Sequence, residues 1–155
     1  MNSDKILREQ LLALLKGGNA HLALNKAFKD FPPEKFNTKI SNVGYTPWQL
    51  LEHMRICQWD ILEFIRDPEH VSPDWPDGYW PEPGKTANEI MWRNTLDQFF
   101  ADLESIIEFV NDPKSDLYAD LPHASGYNLL REILLVADHN SYHMGQFLLM
   151  KKSLR

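Results

Sequence analysis

The sequence predicts an all-α fold, a four-helix bundle with long crossover loops. Apolar residues recur at three- and four-residue spacing over four long stretches. Helix-start and helix-stop signals bracket them, and no run alternates with the two-residue period of a strand. The 155 residues suit one domain, and with no internal repeat or low-complexity tract, residues 1–155 read as a single bundle.

The first segment runs from about Ser3 to Phe28, with Leu7, Leu11, Leu14, Leu15 and Leu22 on one face and Gly17-Gly18 interrupting it. Paired glycines in a helix interior mark either a kink or a close approach by another backbone or a ligand. Pro32-Pro33 ends the segment. The second helix opens at Thr46-Pro47-Trp48-Gln49, an N-cap threonine with proline at the first helical position and glutamine at the third. Leu50, His53, Cys57, Ile61 and Phe64 share a face until Asp67-Pro68. The third opens on Thr86-Ala87-Asn88-Glu89, a second capping box, and carries Ile90, Leu96, Phe99, Leu103, Ile106 and Val110 inward to Asp112-Pro113. The fourth begins at Asn128 and turns Leu129, Ile133, Leu135, Val136, Phe147 and Met150 inward, fraying near Ser153.

Between the second and third helices lie 19 residues, Asp67 to Lys85, five of them proline. Loops longer than about 12–15 residues are uncommon without a function. Trp75, Tyr79 and Trp80 give this one too much aromatic mass for a loose linker. It reads as an ordered cover: either a strap over one end of the core, or a wall of a pocket near His53. The second reading requires the loop to run back along the bundle, because it leaves about 21 Å from His53 at ~1.5 Å per residue.

Composition excludes several classes. Hydrophobic residues at 43% and charged residues at 25% rule out a wholly disordered chain. The net charge is −6 and no basic run exceeds Lys151-Lys152, so nucleic acid is not an expected partner. Nowhere do 18 apolar residues stand together, and the start of the chain carries no signal-peptide core, so no membrane partner is expected either. Cys57 is the single cysteine, which excludes an intrachain disulfide and fits a cytoplasmic location.

Histidines carry the chemistry. His139 and His143 are four apart in Asp138-His139-Asn140-Ser141-Tyr142-His143, a spacing that sets two imidazoles on one helix face within chelating distance. Their neighbours belong to the inward stripe, and His53 interrupts the inward stripe of the second helix. Bundle metal sites are built in this way, from facing helices. No Glu-x-x-His occurs, Asn140 stands where a zinc protease would place its general base, and no nucleophile elbow or phosphate loop is present. Cys57, one turn from His53, is either a fourth ligand or an inert core thiol. Gln146 either orients His143 or makes a plain helix–helix hydrogen bond. His21, near the glycine pair, either reaches the site or serves elsewhere. Asp60 reads as a solvated carboxylate, with a place behind the histidines as the alternative. His70 and His123 read as exposed loop residues, and Trp48, Trp59 and Trp92 as core.

Trp48-Gln49-Leu50-Leu51-Glu52-His53-Met54, taken with His139-Asn140-Ser141-Tyr142-His143-Met144-Gly145-Gln146, resembles the DinB/YfiT-like superfamily across the whole chain. The resemblance implies that His53, His139 and His143 bind one divalent metal, usually zinc or nickel. It also implies kinship with transferases and isomerases that use a low-molecular-weight thiol, and it implies neither polymerase activity nor DNA binding. Three imidazoles leave a coordination position open, as in catalytic rather than structural zinc. The expected function is therefore metal-dependent hydrolysis or thiol transfer on a small-molecule substrate. A non-catalytic metal-binding or stress-response protein is the alternative, and a homodimer is the expected assembly. No catalytic residue beyond the ligands is assigned from sequence.

Overall fold

In the computed structural model, which describes residues 3–154, the helix boundaries follow local capping chemistry. Helix α1 (Ser3–Lys16) stops at Gly17-Gly18, whose φ angles are +66° and +87°. The Gly17 N–H bonds back to the carbonyls of Ala13 and Leu14 at 3.1 and 3.2 Å, the left-handed closure glycine makes without steric cost. The segment from Ser3 to Phe28, expected as one stretch interrupted at Gly17-Gly18, is two elements separated there, α1 and a short α2 (Leu24–Phe28). Leu22 lies between them, 42% exposed rather than inward.

Helix α3 (Pro47–Arg66) opens on the expected capping box: the Gln49 N–H donates to Thr46 Oγ1 at 3.3 Å, and the Thr46 N–H to Gln49 Oε1 at 2.9 Å. Helix α4 (Glu89–Asn111) starts two residues later than expected. Its cap is Asn88, which accepts from the Met91 N–H at 2.9 Å, and Ile90 in the first turn is exposed. Helix α5 (Leu129–Ser153) begins where expected, with Asn128 accepting from the Arg131 N–H. One small element was not expected within the all-α bundle: β1 (Asp120–Leu121) and β2 (Ala124–Asn128) form a short antiparallel hairpin. Ala124-Ser125-Gly126-Tyr127-Asn128 has no in–out alternation, since only its ends are partly buried, so periodicity carries no signal there.

Helices α1 and α3 each pack against both α4 and α5, which makes the four-helix bundle. Leu50, Phe99, Ile106, Ile133 and Phe147 lie at its centre with no exposed surface. A buried polar chain crosses the core: Asn140 Nδ2 donates to Gln58 Oε1 at 2.8 Å, and Gln58 Nε2 to the Phe99 carbonyl at 2.6 Å. It ties α5 to α3 and α4 beside the expected metal ligands, and a misaligned pairing would leave its buried groups unmet. Residues 67–88 connect α3 to α4 through a 3-10 turn, Asp77–Tyr79, that packs back on α3. No helix among the described residues is long and apolar enough to cross a membrane.

Candidate metal centre

His53 is presented by α3, and His139 and His143 by successive turns of α5, the helix packed against it. Their ligand nitrogens all lie within 4.8 Å of one another. His53 Nε2 is 3.2 Å from His143 Nε2 and 3.3 Å from His139 Nε2. His53 and His143 are buried and His139 is half-buried.

The outer nitrogens fix which atoms face inward. His53 Nδ1 lies 2.9 Å from the backbone carbonyl of Tyr79. A carbonyl can only accept, so Nδ1 carries the hydrogen and the lone pair of the neutral ring is on Nε2. Gln146 Oε1 takes the same role for His143 Nδ1 at 2.7 Å. Two acceptor nitrogens therefore face each other at 3.2 Å, an arrangement that a cation between them satisfies. Zn–N bonds of about 2.0–2.1 Å in a tetrahedron separate ligand nitrogens by about 3.3–3.4 Å, close to the distances here. The residues fit a metal ion.

Electrostatics keep the rings in the metal-binding form. Burial lowers the pKa of all three, which holds them neutral at pH 7. The effect is largest at His139, pushed down to about 3 by burial and then by the neighbouring His143 and His53. This sets a pH dependence for the metal-free protein. The unfolded chain takes up a proton at His139 near pH ~6.5, whereas the folded chain resists until about 3. Stability is therefore complete above ~6.5 and falls as pH drops through that window. Urea midpoints of metal-free protein at pH 7 and pH 5 should show the loss, and His139→Gln should make it smaller. Equal slopes in the two proteins would contradict it.

The long loop is a wall of this site. Trp80 stacks on the His53 ring, with centroids 4.0 Å apart and planes within 4°. Asp60 fastens the loop down. Its Oδ2 accepts from the Tyr79 hydroxyl at 2.7 Å, and its Oδ1 lies 2.7 Å from His70 Nε2. Asp60 is buried, not solvated, and the His70 side chain is only 9% exposed. Both corrections have one cause: the loop folds back over α3 beside His53, a contact that no helix pattern shows. Burial and the Asp60 bond push the Tyr79 hydroxyl up to about 12, so it remains a donor.

The other candidates separate cleanly. Gln146 orients His143. Cys57 is buried, with Sγ 3.5 Å from His53 Nδ1 and 3.8 Å from Nε2, nearer the outer side of the ring. Burial and then Asp60 raise its thiol to about 12. It does not join the group of converging ligand atoms. His21 is exposed, and its Nε2 lies 3.3 Å from Ser141 Oγ, away from the cavity. His123 is exposed as expected, against the Phe64 carbonyl. Trp48 and Trp92 are core, and Trp59 stands edge-on to His70 at 5.3 Å.

Beside the histidines is a cavity of about 560 Å³, the size of a small-ligand site. The loop lines it with Trp75, Pro76, Tyr79 and Trp80, and α5 with Leu135 and Tyr142. Leu135, expected inward, is 41% exposed and borders this space. The model of the DinB superfamily matches residues 19–147, which include all three histidines and the loop. The chain belongs to the DinB superfamily. No curated protein and no solved structure matches it. For this DinB-superfamily chain the three-histidine group could hold a metal ion, and its neighbouring cavity leaves room for a further ligand.

Proposed function

We propose that the protein is a metal-dependent enzyme in which His53, His139 and His143 bind one divalent ion, with zinc and nickel first among candidates. The observation that carries this reading is the convergence of three neutral imidazoles, with no fourth ligand among the described residues, on the edge of an aromatic cavity. An ion so bound would lower the pKa of a water or thiol brought to it, supplying a nucleophile at neutral pH. The chain does the rest. Tyr79 and Gln146 hold two rings in the tautomer that aims Nε2 inward. Trp80 and Tyr79 wall the site on the loop side. Cys57 lies nearer the outer side of the His53 ring and outside the group of converging ligand atoms, so the nucleophile comes from outside. The reaction this supports is hydrolysis of a small electrophile or transfer of a low-molecular-weight thiol to it. A single free thiol fits work in the reducing cytoplasm.

One observation favours the alternative of non-catalytic metal binding. Of the two carboxylates lining the cavity, Asp60 is engaged by Tyr79 and His70, and Asp138 is exposed. Asp60 is therefore not a free base beside the ligands. Elemental analysis of protein purified without an affinity tag, followed by thiol and ester screens with the metal found, decides the matter. About one ion per chain is expected, because the described residues hold one such cluster. A ratio near two, or no metal after incubation with zinc and nickel, overturns the site. One ion with no turnover in any screen favours the alternative.

A further inference from the structure

The charge and shape of the cavity constrain what can share it with an ion. Its walls are Ile61, Trp75, Trp80, Leu135 and Tyr142, with two carboxylates, Asp60 and Asp138. No lysine or arginine is among the described lining residues. A carboxylate or phosphate on a ligand is normally met by such a cation, most often a bidentate arginine. Here the two wall carboxylates already match a divalent ion's charge, and the ion's attraction is spent on the one donor atom that reaches it. A second anionic group would lie in apolar, negatively charged surroundings, where a charge without a partner is costly. The aromatic and aliphatic lining, Trp75, Tyr79, Trp80, Tyr142, Ile61 and Leu135, instead rewards an apolar body.

We infer that the cavity selects a compact apolar ligand, aromatic by preference, whose single metal-reaching head is its only anionic group, and that it rejects thiols or substrates carrying carboxylates. The inference rests on the metal reading above. A thiol entering this way gives up its S–H proton to solvent and arrives as thiolate, with no oxidation or reduction involved. The rejecting elements are the bare apolar wall and the wall carboxylates, not the ligand histidines.

The test uses cobalt-loaded protein and three probes that differ in one feature each: benzyl mercaptan, 4-(mercaptomethyl)benzoate and ethanethiol. Binding is read from the visible spectrum of the cobalt. Benzyl mercaptan should bind at least about tenfold more tightly than the benzoate, as repulsion and lost solvation of a nearby charge require. It should exceed ethanethiol by a similar factor, on the order of the burial of one ring. Leu135→Arg supplies the missing cation at a position already 41% exposed, so folding is spared. In that variant the benzoate should draw to within about threefold of benzyl mercaptan, since a charge pair replaces an unpaired charge. Equal or tighter binding of the benzoate by the unaltered protein would overturn the charge argument, and equal binding of ethanethiol the aromatic one. Azide changing the cobalt spectrum while no thiol does would overturn this inference and leave the metal reading standing. Failure to take up cobalt, zinc or nickel would remove both.

Discussion

His139→Ala should abolish stoichiometric metal binding while leaving the bundle folded. The residue is half-buried and contributes one of three ligand nitrogens, so its loss leaves a two-coordinate site open to water. Removing an outer partner of a metal ligand costs about 10–100-fold in affinity, and removing the ligand itself should cost more. His53→Ala should have the same effect on metal but a larger effect on folding, because it also strips Trp80 of its stacking partner and the Tyr79 carbonyl of its donor. His139 is therefore the cleaner probe. Equilibrium competition against a chromogenic chelator gives the affinity, and urea unfolding of the metal-free proteins separates stability from binding. Cys57→Ala is the companion measurement. Its sulfur lies nearer the outer side of the His53 ring, so affinity should change by less than about threefold, well short of the cost of even an outer partner. A loss as large as that of His139→Ala would make Cys57 a ligand and close the site.

How much of this was legible in the sequence follows from which distances are local. The i, i+4 pair His139 and His143 fixes its own geometry, because helix spacing alone brings the two rings together. His53 was legible because it breaks an apolar stripe, which places it in the core whatever the partner helix. The caps at Thr46 and Asn128 are contacts over three residues, and both stand where the sequence put them. Asn88 took the cap expected at Thr86: either residue can accept from a first-turn N–H, and asparagine is the stronger cap of the two. The Gly17-Gly18 pair ends α1 by a positive-φ closure that composition shows only as an interruption.

What escaped is the traffic between the loop and α3. Asp60 shares a face with His53, two turns away, a spacing that did raise a supporting role. Nothing local reveals that His70, just past the helix end, folds back to meet it, or that Tyr79 bonds it by hydroxyl while holding His53 by carbonyl. These contacts span 10, 19 and 26 residues, beyond the reach of any periodicity. The aromatic content of the loop was the available signal. It showed that the loop is ordered without showing which end of the bundle it covers.

Asp60→Asn should weaken metal binding by about 10–100-fold although Asp60 touches no ligand, the range seen when outer partners of a metal-bound histidine are lost. One buried carboxylate accepts from both His70 and Tyr79. A neutral amide of the same shape offers one acceptor oxygen in place of two charged ones, so either Tyr79 loses its acceptor or His70 must move its ring hydrogen to Nδ1, and the charge-assisted hold on Tyr79 weakens. Tyr79 is then free to shift, and with it the carbonyl that fixes the tautomer and direction of His53. Asp60 is thus a positioning residue acting through the loop. Tyr79→Phe removes the same link from the other side, since a hydroxyl held near 12 keeps its hydrogen on Asp60 across the working pH range. If the two residues act through one chain, Asp60→Asn/Tyr79→Phe should lose little more affinity than either single variant. Additive losses would mean that they act separately. A merely structural role would lower the urea midpoint of the metal-free protein and leave both metal affinity and the visible spectrum of the cobalt form unchanged. A changed spectrum in Asp60→Asn, reproduced by Tyr79→Phe, is the expected signature of a turned His53 ring.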